Sequence, residues 1–226
     1  MKRTLSAVRS PLSVKKTSLF IVLIFILHFS ICTSASAASV NDTVDEMQKK
    51  FAKISDITGK FSQTSYIKDL EQTQKYSGTF YIKKPLRMMW EYDKPRDEKV
   101  VIRDTDTWIY KKADNQVIRT RFSKDAYSQV PIALLESFEN MKEDFHVTMP
   151  GENALNLVPK HKTGLVKMIV LERAEGDFPI KMFTMIDTYG NVIMIELQDL
   201  KINPGLEDSF FIFKMPPGVE VFDMTR

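Results

Sequence analysis

The 226-residue chain is poor in the residues that carry most covalent and metal chemistry. It has one cysteine, Cys32, and three histidines, His28, His146 and His161. Cys32 lies inside an N-terminal apolar run, so the rest of the chain has no thiol for disulfides or nucleophilic chemistry. His146 and His161 stand 15 residues apart, without HxxH or HExxH spacing, and give an ordinary zinc site no support. No GxSxG elbow, SxxK, GxGxxG or P-loop occurs, so serine acyl chemistry and nucleotide binding have no motif. No cofactor is expected. Asp104-Thr105-Asp106 brings two carboxylates together, but where a hairpin turn is wanted, and turn chemistry accounts for them. Eight glycines, no repeats and no low-complexity run leave nothing that reads as an interdomain linker.

What the N-terminus does have is an export signal. Lys2, Arg3, Arg9, Lys15 and Lys16 precede an apolar core of 13 residues, Leu19 to Ile31, and Ala35-Ser36-Ala37 has the small-x-small form of a cleavage site. Residues 1–37 are read as a signal peptide and 38–226 as one domain beginning at Ala38. An uncleaved anchor would need roughly 20 apolar residues. Phe29-Ser30-Ile31 before Cys32 lacks the small residues that lipidation of that cysteine requires. Five of the 32 basic residues and none of the 29 acidic ones fall in the leader, so the net charge of +3 becomes −2 without it. No basic stripe survives, and nucleic acid is not an expected partner.

Beyond the leader, hydrophobic periodicity predicts a first helix over 42–57, with Val44, Met47, Phe51 and Ile54 on one stripe and Asn41 or Asp42 as its cap. A second helix is predicted over 129–142, opened by Pro131, with Val130, Leu134, Leu135, Phe138 and Met141 on its stripe. Strands are predicted over 59–68, 74–83, 87–93, 99–103, 107–111, 116–121, 145–149, 154–159, 165–172, 180–187, 192–200 and 210–214. Eleven or twelve strands without a βαβ rhythm indicate an antiparallel sheet, and so many strands in one small domain must curl. The strands over 180–186 and 192–197 carry large apolar residues on both parities, so both of their faces meet protein or ligand. Twelve methionines and 15 phenylalanines supply adaptable apolar bulk.

The densest pattern is Gly78 to Pro95, GTFYIKKPLRMMWEYDKP. Phe80, Ile82, Met88, Trp90 and Tyr92 share one strand parity, and Tyr81, Lys83, Arg87, Met89 and Glu91 the other. Lys84 falls by parity with the apolar set. This stretch resembles the outer-membrane lipoprotein carrier family, the LolA-type periplasmic chaperones. Further pieces follow in the family's order: Phe61-Ser62-Gln63, Thr107-Trp108-Ile109-Tyr110, Pro131-Ile132-Ala133-Leu134-Leu135, Leu157-Val158-Pro159-Lys160, Asp187-Thr188-Tyr189-Gly190, and 211–219.

The resemblance implies an unclosed antiparallel β-barrel of about 11 strands, with helices as a lid over an apolar cavity. It also implies a non-enzymatic, monomeric chaperone of the Gram-negative periplasm. Acylated lipoproteins would be its cargo, an inner-membrane ATP-driven transporter would load it, and an outer-membrane acceptor would unload it. Parity and pattern together nominate Phe80, Ile82, Met88, Trp90, Trp108, Met182 and Met194 for the cavity. Leu134, Leu135 and Phe138 would come from the lid helix, and Phe51 and Ile54 from the first helix. The family commonly has an arginine just before the strand proline, bonding helix carbonyls to hold the lid. Lys84 stands there, and an ammonium lacks the planar fork. It is either a lid clasp or a solvated strand-end lysine. Two alternatives stay open: the membrane-bound acceptor or another lipid carrier of the same fold, and an exported hydrolase using Glu196, which shares parity with Val192 and Met194.

Overall fold

A computed structural model describes residues 39–122, 138, 140–161 and 164–225. Helix α1 spans Val40–Ala52. Ser39 caps it, its Oγ accepting from the Asp42 amide at 3.1 Å. It ends five residues before the sequence reading placed its end, because β1 begins at Asp56. Twelve strands follow: β1 (Asp56–Ile67), β2 (Gln72–Lys83), β3 (Arg87–Tyr92), β4 (Glu98–Arg103), β5 (Asp106–Lys111), β6 (Gln116–Arg121), β7 (Phe145–Gly151), β8 (Ala154–Pro159), β9 (Val166–Arg173), β10 (Ile180–Asp187), β11 (Val192–Ile202) and β12 (Glu220–Asp223). Of the second predicted helix, the described residues include the short α2, Met141–Asp144. Leu134 and Leu135 lie outside them.

The strands form one sheet in the order β12-β6-β5-β4-β3-β2-β1-β11-β10-β9-β8-β7. All pairings are antiparallel except β12 with β6, which is parallel. β7 and β12 are the two edges, so the sheet is an unclosed barrel, as the sequence indicated. One face of β1–β5 and of β7–β11 contributes to a single apolar cluster with α1, which requires the sheet to curl around it. That face is the concave one. Val44, Met47 and Phe51 of α1, with Ile54 just beyond it, are buried there, each contributing about 1.5–3 kcal/mol relative to exposure.

At the centre of the concave face the sheet carries an aromatic stack. Phe80 and Trp90 are cross-strand partners with ring centroids 5.5 Å apart, and Phe61 stacks on Trp90 at 3.9 Å. Tyr92 meets Phe61 edge-on at 5.2 Å. Gly78, opposite both Phe61 and Tyr92, makes room for this. A Cβ there would stand 1.9 Å from the Glu91 carbonyl oxygen and 2.6 Å from the Phe61 ring. Burial pushes the Tyr92 phenol above its ordinary pKa, so it stays protonated and donates to Gln63 Oε1 at 3.0 Å.

After β11 the chain passes to the convex face. The expected strand over 210–214 is instead a 3-10 turn, Asp208–Phe211, followed by unpaired extended chain. The strands it crosses already have partners on both sides, so no hydrogen-bonding edge is open to it. This strap buries Phe211 against Met89 and Val101, with Tyr81, Trp108, Leu206 and Phe213 around them. It then ends in β12, which the sequence reading missed; its four residues are all exposed. Asp208 fastens the strap by ion pairs to Lys83 at 2.7 Å and Arg87 at 3.4 Å.

Gly78→Ala is expected to destabilise the fold by about 1–3 kcal/mol, as overpacking of a filled core does, measured by denaturant unfolding. Acid should release the strap. Hydrogen bonding from Lys83, with the charges of Arg87, Lys83 and Arg103, holds Asp208 below the ordinary aspartate value of 3.8. Its contribution is therefore complete above that value and is lost as pH falls through the depressed one. Thermal unfolding across a pH series should show the advantage over Asp208→Asn shrinking to nothing in that acid range and constant above it.

Candidate functional site

A cavity of about 520 Å³ opens where the end of α1 crosses the ends of β1, β2 and β3. Its volume falls in the roughly 300–1,000 Å³ range of small-molecule sites. Phe51 and Ile54 form its helix side, Ile57 its β1 side, and Ile82 and Met88 its floor, with Lys83, Lys84, Pro85, Ser55 and Asp56 around the mouth. Ile82 and Met88 are cross-strand partners on β2 and β3, so their side chains adjoin on one face.

Lys84 sits at the mouth and reaches back to the helix. Its Nζ donates to the Phe51 carbonyl at 2.9 Å and lies 4.9 Å from the centre of the Phe51 ring. The carbonyl belongs to the last turn of α1, where it also accepts from the Ile54 amide at 3.1 Å and the helix dipole favours a cation. The Phe51 ring also meets Phe138 edge-on at 5.6 Å and Phe178 at 6.1 Å. Gln48 of α1 donates to the Phe138 carbonyl at 3.3 Å.

The structure thus brings together five nominated residues, Phe51, Ile54, Ile82, Lys84 and Met88, around one cavity. Phe80 and Trp90 share the concave face but sit deeper, packed in the aromatic stack and nearly inaccessible. Phe138 is buried against Phe51. Three nominations need correction. Trp108 is on the convex face, stacked on Phe213 of the strap at 6.1 Å, while its neighbour Ile109 packs into the concave cluster. Met182 and Met194 are also on the convex side: Phe183 and Met185 of β10, and Ile193 and Ile195 of β11, take the inward positions. Both strands are apolar on both parities, so their sequences alone do not say which face turns inward. Glu196 is the register partner of Met182 and shares that outer face, away from this cavity.

Sequence reasoning missed Ile57, Phe61 and Phe178. Phe178 follows the Gly176-Asp177 turn, with no periodicity to place it. Phe61 was visible as part of Phe61-Ser62-Gln63, and its parity with Gln63 inside a strand was the available signal. Among the described residues no group of three His, Asp, Glu or Cys side chains could hold a metal, and no helix is long and apolar enough to cross a membrane.

Residues 52–214 match the family described as outer membrane lipoprotein carrier protein LolA. The chain belongs to this family. Curated relatives named outer-membrane lipoprotein carrier protein include one from Aeromonas salmonicida, 26% identical over 86% of this chain and 95% of its own length. Another, from Alkalilimnicola ehrlichii, is 25% identical over 90% and 96%. Among solved structures, the carrier-family chain resembles in fold a DUF1329 family protein from Desulfovibrio piger, with a TM-score of 0.51 and 15% identity over 76% of this chain and 95% of that one. It also resembles an uncharacterized conserved protein from Thermus thermophilus, with a TM-score of 0.50 and 14% identity over 82% and 99%. The family is named for carrying, not for catalysis.

Replacing Lys84 by Leu removes a charge-assisted bond from a half-buried site, with an expected cost of about 1 kcal/mol, near the low end for such bonds. Amide exchange in the last turn of α1 should then quicken about fivefold. Lys84→Arg should restore protection. Unchanged exchange in Lys84→Leu would show that the bond does not hold the helix end.

Proposed function

We propose that this protein is a soluble periplasmic chaperone that shields the acyl chains of lipoproteins between the inner and the outer membrane. The cavity under α1 is the observation that carries the reading: apolar on the helix side and the floor, with a cationic bond from Lys84 to the helix end. An acyl chain that leaves a bilayer forfeits about 0.8 kcal/mol per CH₂. Several long chains cannot cross water without replacement contacts of this kind. Phe51, Ile54, Ile82 and Met88 supply those contacts, and the flexible Met88 thioether adapts to chains of different shape.

Family membership supports the rest. An inner-membrane ATP-driven transporter loads the carrier, which is consistent with a chain that has no nucleotide motif. An outer-membrane acceptor takes the cargo over. Lys84 acts as the clasp of the helix end, bonded to a carbonyl that must move when a chain enters beside Phe51. A non-covalent clasp of this kind suits a carrier that must also let go. Cleavage before Ala38 makes the protein diffusible.

Native mass spectrometry of protein taken gently from the periplasm of its own host tests this reading. The expected result is a chain starting near Ala38 with a co-purifying triacylated lipoprotein. A chain starting at acylated Cys32 would instead identify the membrane-bound acceptor of the same fold. A processed chain free of lipid under those conditions would count against carriage.

A further inference from the structure

Lys83 and Lys84 are consecutive residues at the end of β2 and serve opposite faces, as strand geometry dictates. On the concave side Lys84 bonds the Phe51 carbonyl of α1. On the convex side Lys83 donates to the Leu206 carbonyl at 2.7 Å and pairs with Asp208 at 2.7 Å, at the root of the strap. The same strand end therefore holds both the last turn of α1 and the beginning of the strap.

Asn203 makes a second and more direct bridge. It leaves β11 with a φ of 52°. Its Nδ2 donates to the Lys53 carbonyl at 3.1 Å, and its Oδ1 accepts from the amides of Ser55 at 2.7 Å and Asp56 at 3.4 Å. Its own amide donates to the Asp56 carbonyl at 2.8 Å. The buried Asp56 in turn accepts from the Leu206 amide through Oδ2. Lys53–Asp56, the joint between α1 and β1, is thus fixed to 203–206. At the far end of the strap, Phe211 is sealed against Met89 and Val101, and Phe213 stacks on Trp108. A second pocket, of about 440 Å³, lies beneath the strap. Its wall is shared with the concave cavity: Met88 lines one and Met89 the other.

We infer that filling the concave cavity shifts the strap on the opposite face, with Asn203 and Asp56 carrying the displacement from the joint after α1. The inference rests on the carrier reading. A chain inserted between Phe51 and the Ile82–Met88 floor favours positions of α1 that widen the cavity, and that differential contact is the driving force. The hinge residues move with the helix end, and the hydrogen bonds of Asn203 move the strap root with them. The route is one continuous bonded element, from Lys53–Asp56 through Asn203 to Leu206. Its consequence is that loaded and empty carriers differ on the convex face, where a partner can tell them apart without touching the cargo.

The chain has two tryptophans, Trp90 in the concave stack and Trp108 under the strap, so 5-fluorotryptophan labelling places one fluorine reporter on each face. Trp108→Phe assigns the two signals. The probe is a synthetic tripalmitoylated cysteinyl peptide titrated into the purified protein, with native mass spectrometry counting the bound peptide. The expected result is that both resonances shift with one common midpoint. In Asn203→Gly, which tolerates the positive φ without the side-chain bonds, Trp90 should still respond and the Trp108 shift should be lost. Asn203→Asp keeps the acceptor but not the donor to Lys53, and it should lose most of the Trp108 shift even if the glycine variant folds poorly. A Trp90 shift with a silent Trp108 in the unsubstituted protein overturns the coupling and leaves carriage standing. A Trp108 shift that survives both variants overturns the route through Asn203. Silence at both positions with no bound peptide overturns carriage, and the coupling with it.

Discussion

A curled sheet that stops short of closing has a concave face wider than its own side chains can fill, and the rest of this molecule answers that mismatch. Helix α1 supplies the missing cover, and Phe51 is where that cover borders the cavity. Its ring meets Phe138 and Phe178, its carbonyl takes the Lys84 ammonium, and its free side faces the cavity. The same residue thus anchors the helix to the sheet and leaves a gap beside it. A better-filled interface would be more stable and would leave no cavity.

The two faces solve different problems with the same kinds of residue. On the concave face an aromatic stack of Phe61, Phe80 and Trp90 forms a rigid floor beside the cavity, made possible by the missing side chain at Gly78. On the convex face Met89, Val101 and Trp108 are covered by the strap, held by one carboxylate between two cations. The stack is deeply buried; the strap is held by the buried Phe211 and, at its root, by hydrogen bonds and the Asp208 ion pairs.

Much of this was legible in the chain. Period-two alternation through β2 and β3 gave the concave set of Phe80, Ile82, Met88 and Trp90 correctly, because Lys83, Arg87 and Glu91 mark the other parity. The signal failed where both parities are apolar. On β10 and β11 the inward side is decided by cross-strand neighbours such as Ile195 and Phe183, which no single strand encodes, so Met182 and Met194 were assigned to the wrong face. Trp108 misled for a related reason: the strap makes the convex face apolar too, and the strap is remote in sequence. Its own residues, Phe210 to Lys214, alternate like a strand because one side of the segment is buried and the other is not, yet they pair with nothing. The pattern singles out Lys84 as either a clasp or a solvated strand-end lysine, and its Phe51 partner could only come from the fold.

The position of Asn203 in the chain has a bearing on how the molecule is made. Strands β2 to β6 and strands β7 to β11 each pair mainly with their neighbours in sequence, and the two meanders join only where β1 meets β11, with Ile57 opposite Ile202. Local hairpins form ahead of such a distant seam. A chain delivered N-terminus first therefore waits with two half-built apolar faces until its last quarter arrives. The cavity lining, residues 51–88, comes early in the chain, the strap comes last, and Asn203 ties the second to the first. During that interval the polypeptide exposes apolar surface that the finished fold hides, a state prone to aggregation.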